Sequence, residues 1–234
     1  MKKTKSLRIF GHKVRKLEDL TGLLPKYTFS AKGKQMEPIN LIILGNLKNI
    51  EDHFLDRGWY EAQKLRFRSA LKGLWAGIFN KSYPEGPFAS SFLGTKPFRI
   101  GFERPTHTNT FRRRHHLRLW KTPHKLKGKC VWAGTISYDK SIGRESGGFW
   151  PTHHVAPTLS WEQSFLARSL GIKSPKHLRL SHPEIKQSSN GDTYISDGWA
   201  LVLDLSQKKL AFEEVHNDAL QAVMQRAPAH YHNN

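Results

Sequence analysis

Arginine and histidine crowd the segment Arg112 to Trp120, which reads RRRHHLRLW. If this segment is a strand, its side chains alternate between two faces. Arg112, Arg114, His116, Arg118 and Trp120 then share one face, and Phe111, Arg113, His115, Leu117 and Leu119 share the other. The second set carries three apolar residues and reads as the core side. The first set lines up guanidinium, imidazole, guanidinium. Arg114 and Arg118 are spaced to clamp a phosphate or carboxylate in forked hydrogen bonds, with Trp120 as a further substrate contact. His116 between them suits a general acid, a general base or a ligand. The plain counterpart is a solvated basic face on an edge strand, where charge blocks aggregation.

A second region, Thr152-His153-His154, precedes Glu162. Adjacent histidines on an extended segment point opposite ways, so one metal does not draw on both. The economical set joins His153 to His116, with Asp139 or Glu162 supplying a carboxylate. Such residues serve acid/base catalysis or divalent-metal binding. No H-E-x-x-H or paired-cysteine motif chooses the metal option. Asp139 follows Thr135 and Ser137 on one polar face, and hairpin register decides whether that face meets His116. As ordinary structural residues, Asp139 would sit in a turn and Glu162 would offset a helix dipole.

The elements that must position these groups follow from periodicity. Ile39–Leu44 reads as a buried strand, Asn49–Arg57 as a short helix, and Leu65–Phe79 as a longer amphipathic helix. No glycine-rich phosphate fingerprint separates strand from helix, which weakens a nucleotide-binding reading. Phe98–Phe102 and the Arg/His segment read as strands. Lys125–Lys129 is a turn into a strand over Cys130–Tyr138, giving an antiparallel hairpin. Ser160 and Gln163 have capping-box spacing for a helix that ends at Gly171. Further strands are expected at Leu178–Leu180 and Trp199–Leu205, and a helix at Phe212–Ala227. The fold class is α+β: a mixed, mainly antiparallel sheet with a few packing helices in a single domain. Residues 1–36 are expected to form a loosely packed basic arm, 37–208 the domain, and 209–234 a C-terminal helix and tail.

Composition bounds the rest. The 234 residues carry a formal charge of +19, from 38 Lys+Arg against 19 Asp+Glu. Such an excess favours an anionic small molecule, a lipid head group, an anionic membrane surface or nucleic acid. Nucleic acid is the less expected partner, because no helix-turn-helix, zinc-finger or aromatic RNA-binding signature is present. Seven Trp and thirteen Phe argue for a packed core. Cys130 is the lone cysteine, so no intrachain disulfide forms and a reducing compartment fits. The longest apolar run, Ile39 to Gly45, is far short of a membrane span. The expected location is cytoplasmic, with peripheral membrane attachment through charge as an extension of it.

Several of these segments together resemble the LssY C-terminal domain. They are Arg114–Trp120, Val131-Trp132-Ala133-Gly134 running on to Asp139, Thr152-His153, and Pro157 ahead of Glu162. Pro38–Leu41, Gly58-Trp59, Arg68–Leu71 and Phe102–Pro105 agree as well. The resemblance covers about residues 37 to 205, with departures at His154, Ala156 and Gln163. That family is often attached to bacterial membrane proteins of the phosphatidic-acid-phosphatase or DedA type, and it brings no established reaction with it. Two functions are therefore expected. One is a phosphoesterase-like hydrolase acting on an anionic, lipid-linked or free phosphate. The other is a non-catalytic basic module on an anionic membrane or nucleic acid.

Overall fold

The computed structural model describes residues 14–62, 90–106, 113–144, 151–187 and 191–207, with backbone alone for 141–144 and 151–154. In chain order the strands are β1 (Tyr27–Ser30), β2 (Gln35–Pro38), β3 (Leu41–Leu44), β4 (Tyr60–Glu61), β5 (Ser91–Leu93), β6 (Lys96–Pro97) and β7 (Ile100–Pro105). They continue with β8 (Arg114–Leu126), β9 (Lys129–Arg144), β10 (Pro151–Val155), β11 (Lys176–Arg179), β12 (Glu184–Gln187), β13 (Thr193–Ser196) and β14 (Trp199–Asp204). Helices α1 (Leu47–Leu55) and α2 (Leu159–Ser169) and a 3-10 turn at Leu17–Leu20 complete the described elements. The expected helices at 65–79 and 212–227 lie outside the described residues.

The main sheet runs β11-β14-β3-β9-β8-β7-β4, and β10 adds to the far half of β9. Among the described pairs of strands, only β3–β14 is parallel. The fold is α+β with a mainly antiparallel sheet. Its spine is the β8–β9 hairpin, whose two-residue turn holds Lys127 at φ 49° and Gly128 at φ 81°. Both angles are left-handed, as a turn that follows the strands' own twist requires.

Both faces of this sheet are covered. All four residues of β3 are buried, because Leu41 and Ile43 face one core and Ile42 and Leu44 the other. The first core packs α1 and α2 against Phe102, Leu117, Leu119, Trp132 and Ile136. The second core gathers Leu20, Leu24, Ile42, Val131, Ala133 and Val202. A small sheet, β2-β1-β5-β6, covers the Arg/His face of β8. Leu93 of β5 packs on the second core, and Phe98 meets Trp120 edge-on at 6.4 Å.

Three expectations change. The Arg/His strand is interior, between β7 and β9, so its polar face is neither an edge nor solvated. Residues 14–36 do not pack loosely: Leu20 is fully buried and Val14 bridges Leu126, because the second face needs an apolar cover. Ser160 is not the cap of α2. The helix starts behind Thr158, which makes no side-chain cap bond, and Gln163 instead donates to the carbonyls of Asn40 and Trp199 at 2.8 and 2.7 Å. Gly171 ends the helix as expected, at φ 73°.

Candidate functional site

Register builds the site. Across β8–β9, Arg114 opposes Asp139, His116 opposes Ser137, and Arg118 opposes Thr135. Across β7–β8, His116 opposes Glu103. Opposed residues share a face, so the alternation in β8 gathers these groups. Above them β2 delivers Glu37. Arg114, His116, Ser137, Asp139 and Glu103 are each at most 3% exposed.

The contacts form one chain. Arg114 Nε donates to Asp139 Oδ2 at 3.1 Å, and its Nη1 makes a short ion pair with Glu103. His116 Nδ1 lies 3.2 Å from Asp139 Oδ1, close but off the line of a well-aligned hydrogen bond. His116 Nε2 lies 3.0 Å from Ser137 Oγ and 3.3 Å from Arg118 Nη1. Glu37 accepts from Ser137 Oγ at 2.7 Å through Oε1, and from Arg118 Nη1 at 3.3 Å through Oε2. A guanidinium only donates, so the Arg118 contact gives Nε2 the acceptor role and places the ring proton on Nδ1, toward Asp139. Ser137 has one proton and two acceptors. The shorter, charged contact to Glu37 takes it.

These five charged side chains are three carboxylates and two guanidiniums, so the arginines that read as an empty anion clamp already hold protein carboxylates. Burial enforces this: a buried charge without a partner costs several kcal/mol or more. Two further polar atoms on this face, Thr135 Oγ1 and Trp120 Nε1, have no hydrogen-bond partner among the described residues. Trp120 is buried rather than presented to solvent.

The other sequence candidates are placed differently. Glu162 is on the opposite face of the sheet, where its Oε2 lies 2.7 Å from His115 Nδ1. His115 stacks on Phe165 with ring centres 3.6 Å apart and lies beside Tyr138. The His115–Glu162 pair therefore ties α2 to the sheet, and Glu162 does not join His116. His153 is in β10 with its backbone opposite Ile142, and Val155 of the same strand pairs with Asp139. The side chains of Thr152, His153 and His154 lie outside the described residues. Among the described residues, no group of three or more His, Cys, Asp or Glu is placed to hold a metal ion.

Sequence reasoning missed Glu37, Glu103 and Ser137 as partners. The available signal was scarcity: with 19 acids against 38 bases, an acid adjoining an apolar strand run, as Glu37 and Glu103 do, invites a cationic partner.

A family model described as LssY C-terminus matches residues 21–199. No curated protein and no solved structure matches the chain. Among the described residues, no helix is long and apolar enough to cross a membrane.

Proposed function

The chain belongs to the LssY C-terminus family, and from that premise we propose that it is a hydrolase of anionic, phosphate-bearing substrates centred on His116. One observation carries this reading: Nε2 of His116 faces the Ser137 hydroxyl at 3.0 Å while Nδ1 faces Asp139 at 3.2 Å. A hydroxyl, a base and an acid that orients the base is the recurring arrangement of an activated nucleophile. Ser137 Oγ attacks phosphorus as its bond to the leaving ester oxygen breaks, and His116 takes the serine proton and passes it to that oxygen. Water then cleaves the phosphoserine with His116 again as base, while Asp139 steadies the imidazolium each time it forms. Glu37 occupies the anion's place at rest, between Arg118 and Ser137. A substrate phosphate that displaces it inherits the Arg118 contact and frees the serine proton for His116. Arg114, tied to two carboxylates, holds Asp139 in position rather than binding substrate.

The test is turnover of p-nitrophenyl phosphate, bis-p-nitrophenyl phosphate and micellar phosphatidic acid by the purified chain. His116→Ala and Ser137→Ala are expected to lower the rate by about 10²-fold or more, with circular dichroism unchanged. No turnover of any of the three, or unchanged rates in both folded variants, overturns the reading.

A second reading is attachment to an anionic membrane surface. It is favoured by Trp161 and Ile185, 73% and 70% exposed, in a strongly basic chain. Ile185 pairs with the exposed Ile195 across the β12–β13 hairpin. Aromatic and aliphatic tips beside basic charge suit a bilayer interface. Co-sedimentation with phosphatidylglycerol vesicles is expected to fall in Trp161→Ser/Ile185→Ser. Equal sedimentation of that variant rejects it.

A further inference from the structure

A cleft at the other end of the β8–β9 hairpin holds a second concentration of positive charge. The turn residue Lys127 lies eleven positions along the chain from His116, a separation of roughly 35 Å in an extended strand. The cleft encloses about 620 Å³, within the usual range for small-molecule sites. Arg15, Lys16, Lys127, Lys129 and Lys176 line it. Lys129 is paired with Asp204, which burial pushes up and the Lys129 and Ser206 hydrogen bonds bring below the usual carboxylate value. The other four cations make no ion pair among the described residues, and Glu18 is the one further acid in the lining. Leu17, Leu44, Leu126, Ile172, Val202 and Leu203 supply apolar surface.

The backbone supplies an independent observation. Lys127 is the only non-glycine residue with positive φ among the described residues, at 49°. Asparagine or glycine is the ordinary occupant of that position. A lysine in a strained position in the lining of a cleft points to use of its charge.

We propose that this cleft binds a phosphomonoester carrying an aliphatic body. The lysines and arginine meet the phosphate, and the leucine, valine and isoleucine side chains meet the hydrocarbon. No aromatic residue lines the described cleft, so it offers no stacking platform for a nucleobase. The site is independent of the His116 reading, since it shares no residue with it.

The test is calorimetric titration of the full chain with monooctyl phosphate, inorganic phosphate and octyl glucoside. Monooctyl phosphate is expected to bind at least tenfold more tightly than either of the others. Lys127→Gly/Lys176→Gln is expected to weaken it about tenfold or more, and glycine at 127 suits the turn, so this variant folds. Displacement of bound octyl phosphate by phosphatidic-acid vesicles or by a soluble alkyl phosphate supports the site and separates its two sources, a lipid headgroup and a free phosphomonoester. No binding of monooctyl phosphate, equal binding of inorganic phosphate, or unchanged affinity in the double variant overturns the proposal.

Discussion

Arg114 is the residue on which the buried network turns. Its guanidinium meets Glu103 and Asp139 together among deeply buried side chains, whereas the Arg118–Glu37 pair is the more exposed of the two sites. Replacing Arg114 with Met leaves two carboxylates buried without their cation. Breaking a buried pair from one side costs about 3–5 kcal/mol. Arg114→Met is therefore expected to lower unfolding free energy by at least that much, and by more than Arg118→Met. Urea titration checks both. Equal losses would mean that Arg114 carries no special role. At this scale the sequence displayed His116, Arg114, Arg118 and Asp139 plainly. It did not display that the arginines are occupied, because a side chain's type says what it is able to bind and its neighbours decide what it does bind.

The elements are held in register by a few polar ties through apolar layers. Asn40, just ahead of β3, donates through Nδ2 to Ile136 O at 2.9 Å and accepts from Ile136 N at 2.8 Å. Its side chain continues the β3–β9 ladder where the backbone pairing ends. Asn40→Ala leaves both Ile136 groups unsatisfied in a buried site, with an expected loss of about 2–4 kcal/mol in denaturant unfolding. Gly198 provides a steric counterpart. It adopts φ 81°, and a Cβ there would fall 2.2 Å from the Ser181 carbonyl oxygen. Gly198→Ala is expected to destabilise by more than about 1 kcal/mol and to loosen the β11–β14 pair, seen as faster amide exchange in β11. Lys127→Gly has the opposite expected sign, a gain of about 0.5–1 kcal/mol, since it relieves a left-handed lysine. Periodicity located these strands and the stop at Gly171. It misjudged the start of α2 because Gln163 has a tertiary use, bonding Asn40 and Trp199, that outweighs a local cap.

Across the whole molecule, the small sheet is fastened to the β12–β13 hairpin by a tyrosine cluster. Tyr27 donates to Glu184 at 2.7 Å, and Gln35 donates to the Tyr194 hydroxyl at 3.2 Å. Burial, then the nearby Glu184 charge, pushes the Tyr194 hydroxyl from the usual 10 up to about 12. A raised folded value means that its contribution to stability is whole below pH 10 and lost as pH rises through about 12. Phenolate absorbance is thus expected to show a late-titrating tyrosine that Tyr194→Phe removes. Titration of every tyrosine near 10 in the folded protein would contradict the docking described here.

From sequence alone came the hairpin, the division of its strand into an Arg114–His116–Arg118 face and a His115–Leu117–Leu119 face, and the possibility of Asp139 beside them. Those are local properties, set by the two-residue period of an extended chain. Tertiary structure decided the rest. It buried the cationic face under β2, brought Glu37 from 81 residues away to Arg118, and set Glu103 beside His116. It also moved Glu162 to the opposite side with His115. Strand order and the layer above a sheet come from non-local burial, and the neutralising partner of a buried charge comes with them.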